Sequence, residues 1–201
     1  MSMPDAELLP VHLVDDDPTV ADACRYLLES LGRAVTYWPR SRDFLNQASL
    51  SEPAVLILDM KMPDLDGSQV HAALRERDTC LGVIILTGHG DVDMAVEQMK
   101  VGAIDFLQKP VAAEALAEAL KAASLRALAL YARQTLEERA AQLTEREQEI
   151  GSLICQGKTN RDIADALRIS VRTVEVHRSK VLDKLGASNT AEFAVLWQRL
   201  Q

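Results

Sequence analysis

Apolar and polar positions along this chain follow two regimes. Up to about residue 122, short apolar runs lie at Val11–Val14, Ala34–Tyr37, Ala54–Leu58, Val83–Leu86 and Ile104–Leu107. Each gives way to a segment of helical spacing, at about 18–31, 41–48, 67–77, 91–101 and from 113 onward. Runs of that length suit buried strands. Five strands alternating with five helices predict an α/β domain, a doubly wound parallel sheet covered on both faces. From Ala112 to Leu143 the chain is rich in Ala, Leu, Glu and Arg and lacks Gly and Pro. The last helix is therefore expected to run on as a helical linker. After Leu143 the spacing is helical throughout, which predicts an all-α domain. The expected division is residues 1–122, a linker over 123–142, and residues 143–201.

Punctuation in the last part sharpens its helices. Thr144 followed by Glu147 forms a capping box, and Gly157 closes that helix. Thr159 caps a helix over about Asn160–Leu167, and Ser170 caps another from Val171 to near Leu185, with Gly186 as its stop. Two helices joined by a tight turn around Arg168-Ile169 predict a helix-turn-helix, whose second helix enters the major groove of double-stranded DNA. Val174, Val181 and Leu185 are expected to face the core. That leaves Arg172, Glu175, Arg178, Ser179 and Lys180 available to DNA.

Composition adds exclusions. The chain is 48% hydrophobic and 26% charged, as expected of a helix-rich globular protein. No run of about 18 apolar residues suggests a membrane span. The start, "MSMPDAELLP", lacks the basic and apolar regions of a signal peptide. Cys24, Cys80 and Cys155 are far apart and odd in number, which suits reduced thiols in a cytoplasmic protein. The net charge of −8 is uneven: residues 1–122 hold 10 Lys+Arg against 20 Asp+Glu, and residues 143–201 hold 9 against 8. Two domains with different partners would show that asymmetry.

The chemistry is expected where strands end. In an open α/β sheet the site lies outside the carboxyl ends of the strands, at the topological switch point. After the first strand come Asp15, Asp16 and Asp17; Asp59 follows the third, Thr87 the fourth and Lys109-Pro110 the fifth. Carboxylates packed on one rim repel one another unless a cation joins them. Mg²⁺ suits such a site, taking one or two carboxylates plus waters and phosphate oxygens. An Asp beside it can accept a phosphoryl group, with a Lys and a Thr hydroxyl neutralising charge. Asp64 and Asp66 are read as turn and cap residues of "MPDLDG", and Asp17 as a solvated neighbour before Pro18 at a helix start. His89 is read as a loop residue, His12 and His71 as structural or exposed, and no Ser/His/Asp or Cys/His arrangement argues for hydrolysis.

"VDDD", "LILDMKMPDLDG", "LTGHGD" and "DFLQKP" occur in order over about residues 10–125. In that spacing they resemble the receiver domain of two-component response regulators, a flavodoxin-like fold. The resemblance implies that Asp59 is the phospho-acceptor. It also implies that Asp15, Asp16, Asp59 and the backbone carbonyl of Lys61 hold Mg²⁺, that Thr87 and Lys109 serve the transferred phosphate, and that Thr87 and Phe106 form the switch pair. A cis peptide would precede Pro110. Over about residues 140–200, "LTEREQEI", "NRDIADAL" and "RTVEVHRSKVLDKLG" resemble the four-helix LuxR-type DNA-binding domain. The pairing places the chain near the FixJ/NarL group, on its FixJ-like branch.

By motif position Glu175, Val176 and Ser179 would point at base edges, while Arg172, Thr173, Arg178 and Lys180 would mainly hold phosphates. Glu175 can accept from cytosine N4 or pair with Arg172 or Arg178. His177 is expected to be packed or near a phosphate. The resemblance implies a sensor histidine kinase as donor, a homodimer when phosphorylated, and RNA polymerase as a further partner. The alternatives are a DNA-binding regulator whose receiver is a phosphate-independent dimerisation module, and a Mg²⁺-dependent aspartyl-phosphate phosphatase. The second needs another Asp two residues after the nucleophile, where Lys61 stands.

Overall fold

The computed structural model describes residues 5–6, 9–88 and 92–200. His89 therefore lies outside the described residues. The chain forms two compact units, residues 1–131 and 132–201, whose boundary falls within the stretch read as linker.

The first unit contains five strands, β1 (Val11–Val14), β2 (Val35–Trp38), β3 (Ala54–Asp59), β4 (Leu81–Thr87) and β5 (Asp105–Gln108). They alternate with α1 (Pro18–Ser30), α2 (Ser41–Gln47), α3 (Gly67–Arg75), α4 (Val92–Lys100) and α5 (Ala113–Ala141). The sheet order is β2-β1-β3-β4-β5, and every pairing is parallel. All six residues of β3 and all seven of β4 are buried, because both sheet faces are covered. Alternation divides them between two cores. Leu56, Leu58 and Ile85 pack with Phe44 of α2 and with Val70 and Leu74 of α3. Val55, Ile57 and Ile84 pack with Cys24 and Leu28 of α1 and with Leu116 and Leu120 of α5.

Two glycines permit close approaches. A Cβ on Gly82 of β4 would meet the Ala123 carbonyl oxygen at 2.0 Å, so α5 can lie on the sheet only over a glycine. A Cβ on Gly67 would meet the Asp59 carbonyl oxygen at 2.5 Å, so the start of α3 can fold back against the end of β3 only there.

Asp66 caps α3 in a capping box with Gln69, as a turn-and-cap residue should. Asp64 does more than shape its own turn. It accepts from the Ser41 hydroxyl and from the Arg42 backbone N–H at 3.2 Å, which ties the loop after β3 to the start of α2. Burial raises its pKa, but the Ser41 hydroxyl and the N–H groups of Leu65 and Arg42 outweigh it and bring it to about 2. His12 and His71 are structural. Trp38 donates its indole N–H to His12 Nδ1 at 3.2 Å, and His71 Nδ1 lies 2.8 Å from Gln98 Oε1.

The second unit holds the end of α5 and four further helices, α6 (Glu145–Cys155), α7 (Asn160–Leu167), α8 (Val171–Leu185) and α9 (Thr190–Gln198). The expected caps form: Thr144, Thr159 and Ser170 accept from the third backbone N–H of their helices, and Gly186 ends α8 at φ 74°. Ile150, Ile163, Val174, Val181, Leu185 and Phe193 make the fully buried centre of this unit. Below them, Lys184 of α8 reaches Glu147 of α6 at 2.6 Å and the Gln142 carbonyl at 3.0 Å.

Candidate functional site

Parallel pairing places the carboxyl ends of β1, β3, β4 and β5 on one rim of the sheet, beside the β1/β3 switch point. Asp15 is fully buried, Asp59 is 5% exposed and Asp16 is exposed. Each of the three offers a carboxylate oxygen, and these oxygens all lie within 4.8 Å of one another. Lys109, directly after β5, places Nζ 2.7 Å from Asp15 Oδ2 and 2.7 Å from Asp59 Oδ1. The peptide between Lys109 and Pro110 is cis.

Burial pushes the Asp59 carboxyl above its ordinary value, and the Lys109 ammonium offsets only part of that. Burial would pull Lys109 down, but its hydrogen bonds to Asp15 and Asp59 outweigh it and hold its pKa up. The group thus brings three carboxyl groups to one ammonium. The Asp59 carboxyl also receives a backbone hydrogen bond from Lys61. Asp17, read as a solvated neighbour, is the cap of α1: its side chain accepts from Thr19 N at 2.8 Å. It therefore faces the helix start.

Thr87 closes β4 and is fully buried, its hydroxyl donating to the Gly88 carbonyl at 3.2 Å. Phe106 pairs with Ile85 across β4 and β5, and Thr87 is two residues beyond Ile85. Strand alternation therefore puts Thr87 and Phe106 on one face of the sheet. Phe106 is half-buried there against the core that also holds Met99 of α4.

In the second unit, α7 and α8 meet at Arg168, which takes a left-handed conformation (φ 54°), followed by Ile169 donating to the Ala164 carbonyl at 3.0 Å. Arg146 of α6 donates to the Leu167 carbonyl at 3.0 Å, satisfying the end of α7. Along α8, Arg172, Glu175, Val176, Ser179 and Lys180 are exposed. Val176 is 49% exposed. The Thr173 hydroxyl lies 2.8 Å from Ser170 Oγ, within the cap. Arg178 is half-buried and donates to Asn160 Oδ1 at 3.3 Å and Thr190 Oγ1 at 2.7 Å. His177 is half-buried as well.

Residues 11–121 match the response regulator receiver domain family, and residues 141–197 match the luxR family of bacterial regulatory proteins. The chain belongs to the FixJ/NarL-type response regulators. It is 50% identical over 190 residues to the tetrathionate response regulatory protein TtrR of Salmonella typhimurium, covering 94% of this chain and 92% of that one. It is 38% identical to the transcriptional regulatory protein FixJ of Azorhizobium caulinodans over 92% of this chain and 90% of that one. Among solved structures, response regulator StyR superposes with a TM-score of 0.73 at 35% identity, covering 96% of this chain and 99% of that chain. Full-length FixJ from B. japonicum gives 0.56 at 32% identity, covering 94% and 95%. This response regulator is a phosphorylation-activated, DNA-binding regulator of transcription, with a kinase and DNA as the partners its two domains imply. No helix among its described residues is long and apolar enough to cross a membrane.

The acidic cluster of the regulator can hold a metal. Asp15 Oδ2 is buried and, among the described residues, has no partner besides the Lys109 ammonium 2.7 Å away. An oxygen in that state, grouped with carboxylates of Asp16 and Asp59, fits a hard divalent cation with oxygen ligands. Two features of these sites escape a local reading of sequence. Glu147 was legible as a capping-box partner, yet its ion pair with Lys184 spans 37 residues. Arg178 was legible as a cation on α8, although its spacing from Val174 and Val181 was the available sign that it lies on their side of the helix, half-buried.

Proposed function

We propose that Asp59 accepts the phosphoryl group from a sensor histidine kinase, and that the phosphorylated chain dimerises and binds operator DNA. The observation that supports this most is the buried Asp59 carboxylate held by Lys109, with Asp15 at the same ammonium and Thr87 on the same rim. An Asp59 oxygen attacks the phosphorus of the donor; the new O–P bond forms as the bond to the donor's nitrogen breaks, and the imidazole leaves with its electron pair. Lys109 keeps its charge throughout and moves its hydrogen bond from the carboxylate to a phosphoryl oxygen. Asp15, Asp16, Asp59 and the Lys61 backbone carbonyl would hold Mg²⁺. When bound, that ion supplies charge neutralisation at the phosphoryl oxygens.

Thr87 then turns its hydroxyl from the Gly88 carbonyl to the phosphoryl group, and Phe106 follows into the space on the same sheet face. A charge with new acceptor oxygens thus biases a two-state element, the α4–β5 face where the second copy docks. On DNA, Glu175, Val176 and Ser179 address base edges, while Arg172, Thr173 and Lys180 hold phosphates. Glu175 accepts from cytosine N4 or pairs with Arg172; the hydrogen bonds of Arg178 go to Asn160 and Thr190. RNA polymerase is the downstream partner, and the cytoplasm the compartment. We assign the chain no catalysis beyond its own phosphorylation and dephosphorylation; Lys61 stands where a phosphatase of this kind needs its second Asp. We keep 1–122, 123–142 and 143–201 as receiver, linker and DNA-binding domain.

The test is labelling by acetyl phosphate, followed by intact mass. Wild type is expected to label with Mg²⁺ and not after chelation by EDTA. Lys109→Ala is expected to slow labelling by about 10²–10³-fold, the usual cost of losing one donor to a developing oxyanion. Labelling at the wild-type rate in Lys109→Ala would contradict the role given to this ammonium.

A further inference from the structure

Arg178 stands apart from the other polar residues of α8. The core residues of this helix are Val174, Val181 and Leu185, all fully buried. Arg178 is four residues after Val174 and three before Val181, so Val174, Arg178, Val181 and Leu185 form one stripe with spacing 4-3-4. Residues at i, i+4 and i+7 lie on one face of a helix. Arg172, Glu175, Val176 and Ser179 lie on the other side and are exposed. The half-buried side chain of Arg178 donates to Asn160 Oδ1 at 3.3 Å through Nη1 and to the exposed Thr190 Oγ1 at 2.7 Å through Nη2.

The two acceptors occupy matching places. Asn160 is the first residue of α7 and Thr190 the first of α9. Helix starts carry partial positive charge, so a cation between two of them gains nothing from the dipoles. The nearest acidic residues of those first turns are committed elsewhere, Asp162 to Thr159 and Glu192 to Ser188. Charge pairing thus does not account for Arg178. A planar fork that donates in two directions does.

We propose that Arg178 is a positioning residue for DNA recognition. Its guanidinium spans the first residues of α7 and α9 and so fixes how the reading face of α8 is presented between them, instead of holding a backbone phosphate. This rests on the reading of α8 as the recognition helix. Lysine keeps the charge but donates from a single nitrogen where the bridge needs the spread of a fork, so Arg178→Lys separates the two roles.

The experiment uses the full chain phosphorylated with acetyl phosphate and Mg²⁺. The probes are a duplex selected by the wild-type protein from a random-sequence library, and random-sequence duplex as the non-specific reference. Binding is measured by fluorescence anisotropy over a range of salt, well below the melting temperature of each variant. Arg178→Lys is expected to lose about tenfold or more in affinity for the selected duplex. Its affinity for random DNA and its salt dependence should stay at wild-type values. Thr190→Val should lose a similar factor, and the double variant should lose little more than either alone, because neighbours sharing one bridge are not additive.

Three results would overturn the proposal. One is Arg178→Lys binding the selected duplex as wild type does. Another is Arg178→Ala weakening both duplexes equally while flattening the salt slope by about 0.9, the signature of one lost phosphate contact. The third is full additivity of Arg178→Lys and Thr190→Val. Glu175→Ala, measured alongside, tests the reading of α8: an unchanged ratio between the duplexes overturns that reading and the proposal with it. A changed ratio there, with Arg178→Lys at wild-type affinity, rejects the proposal alone.

Discussion

Asp59→Asn is expected to take no label from acetyl phosphate in the presence of Mg²⁺, while the protein stays folded. An amide of the same shape fills the same space but has no carboxylate oxygen to attack phosphorus. The fold should tolerate the change. Burial already pushes the Asp59 carboxyl upward, so folding incurs a desolvation cost for its charge that a neutral amide does not carry. Replacing it with a neutral group leaves Lys109 still paired with Asp15 at 2.7 Å. The melting temperature should therefore be unchanged or raised, which separates loss of the acceptor from loss of the fold. Intact mass and thermal melting on the same samples check both halves. Undiminished labelling of Asp59→Asn would move the acceptor elsewhere, with the exposed Asp16 the first place to look.

Glu147→Ala is expected to destabilise the DNA-binding unit strongly, although it removes no apolar side chain from its core. The Glu147 side chain is 5% exposed and that of Lys184 is 32% exposed, with 2.6 Å between Lys184 Nζ and Glu147 Oε2. Glu147 Oε2 also accepts from the Thr144 backbone N–H at 2.9 Å. Lys184 in turn donates to the Gln142 carbonyl at 3.0 Å, so one pair ties α8 to both the start of α6 and the end of α5. Removing one partner of a buried pair costs about 3–5 kcal/mol. The part-exposed Lys184 argues for the low end, about 3 kcal/mol, or roughly 12–24 °C in melting temperature for a unit of this size.

The same pair gives a pH dependence. Lys184 and the Thr144 N–H hold the Glu147 carboxyl down at about 2. A carboxyl depressed on folding stabilises fully above the ordinary carboxylate range, and that contribution is lost as pH falls from about 4.5 towards about 2. Wild type should lose stability over that window more steeply than Glu147→Gln does. Equal slopes, or a melting temperature unmoved by Glu147→Ala, would show that the pair contributes nothing.

The receiver was legible because its chemistry follows topology. Once β1, β3, β4 and β5 are parallel, whatever follows each of them must share a rim, so Asp15, Asp59, Thr87 and Lys109 meet without any long-range guess. The caps at Thr144, Thr159, Ser170 and Gly186 were legible because each acts within a few residues. Contacts between distant segments were not. Nothing near Asp64 announces Ser41, and nothing near Glu147 announces Lys184. Arg178 is a different case. Its charge suggested DNA, while its spacing placed it with Val174 and Val181, and the hydrogen bonds to Asn160 and Thr190 follow the spacing. On an amphipathic helix, position as well as residue type bears on what a side chain reaches.

The central claim is that phosphate on Asp59 controls DNA binding, and operator affinity with and without phosphorylation tests it most directly. Wild type treated with acetyl phosphate and Mg²⁺ should bind its selected duplex at least tenfold more tightly than untreated protein, a coupling of about 1.4 kcal/mol or more. Asp59→Asn should show no difference between the two conditions. Equal affinity of wild type with and without phosphate would contradict the account and leave the receiver as a phosphate-independent dimerisation module.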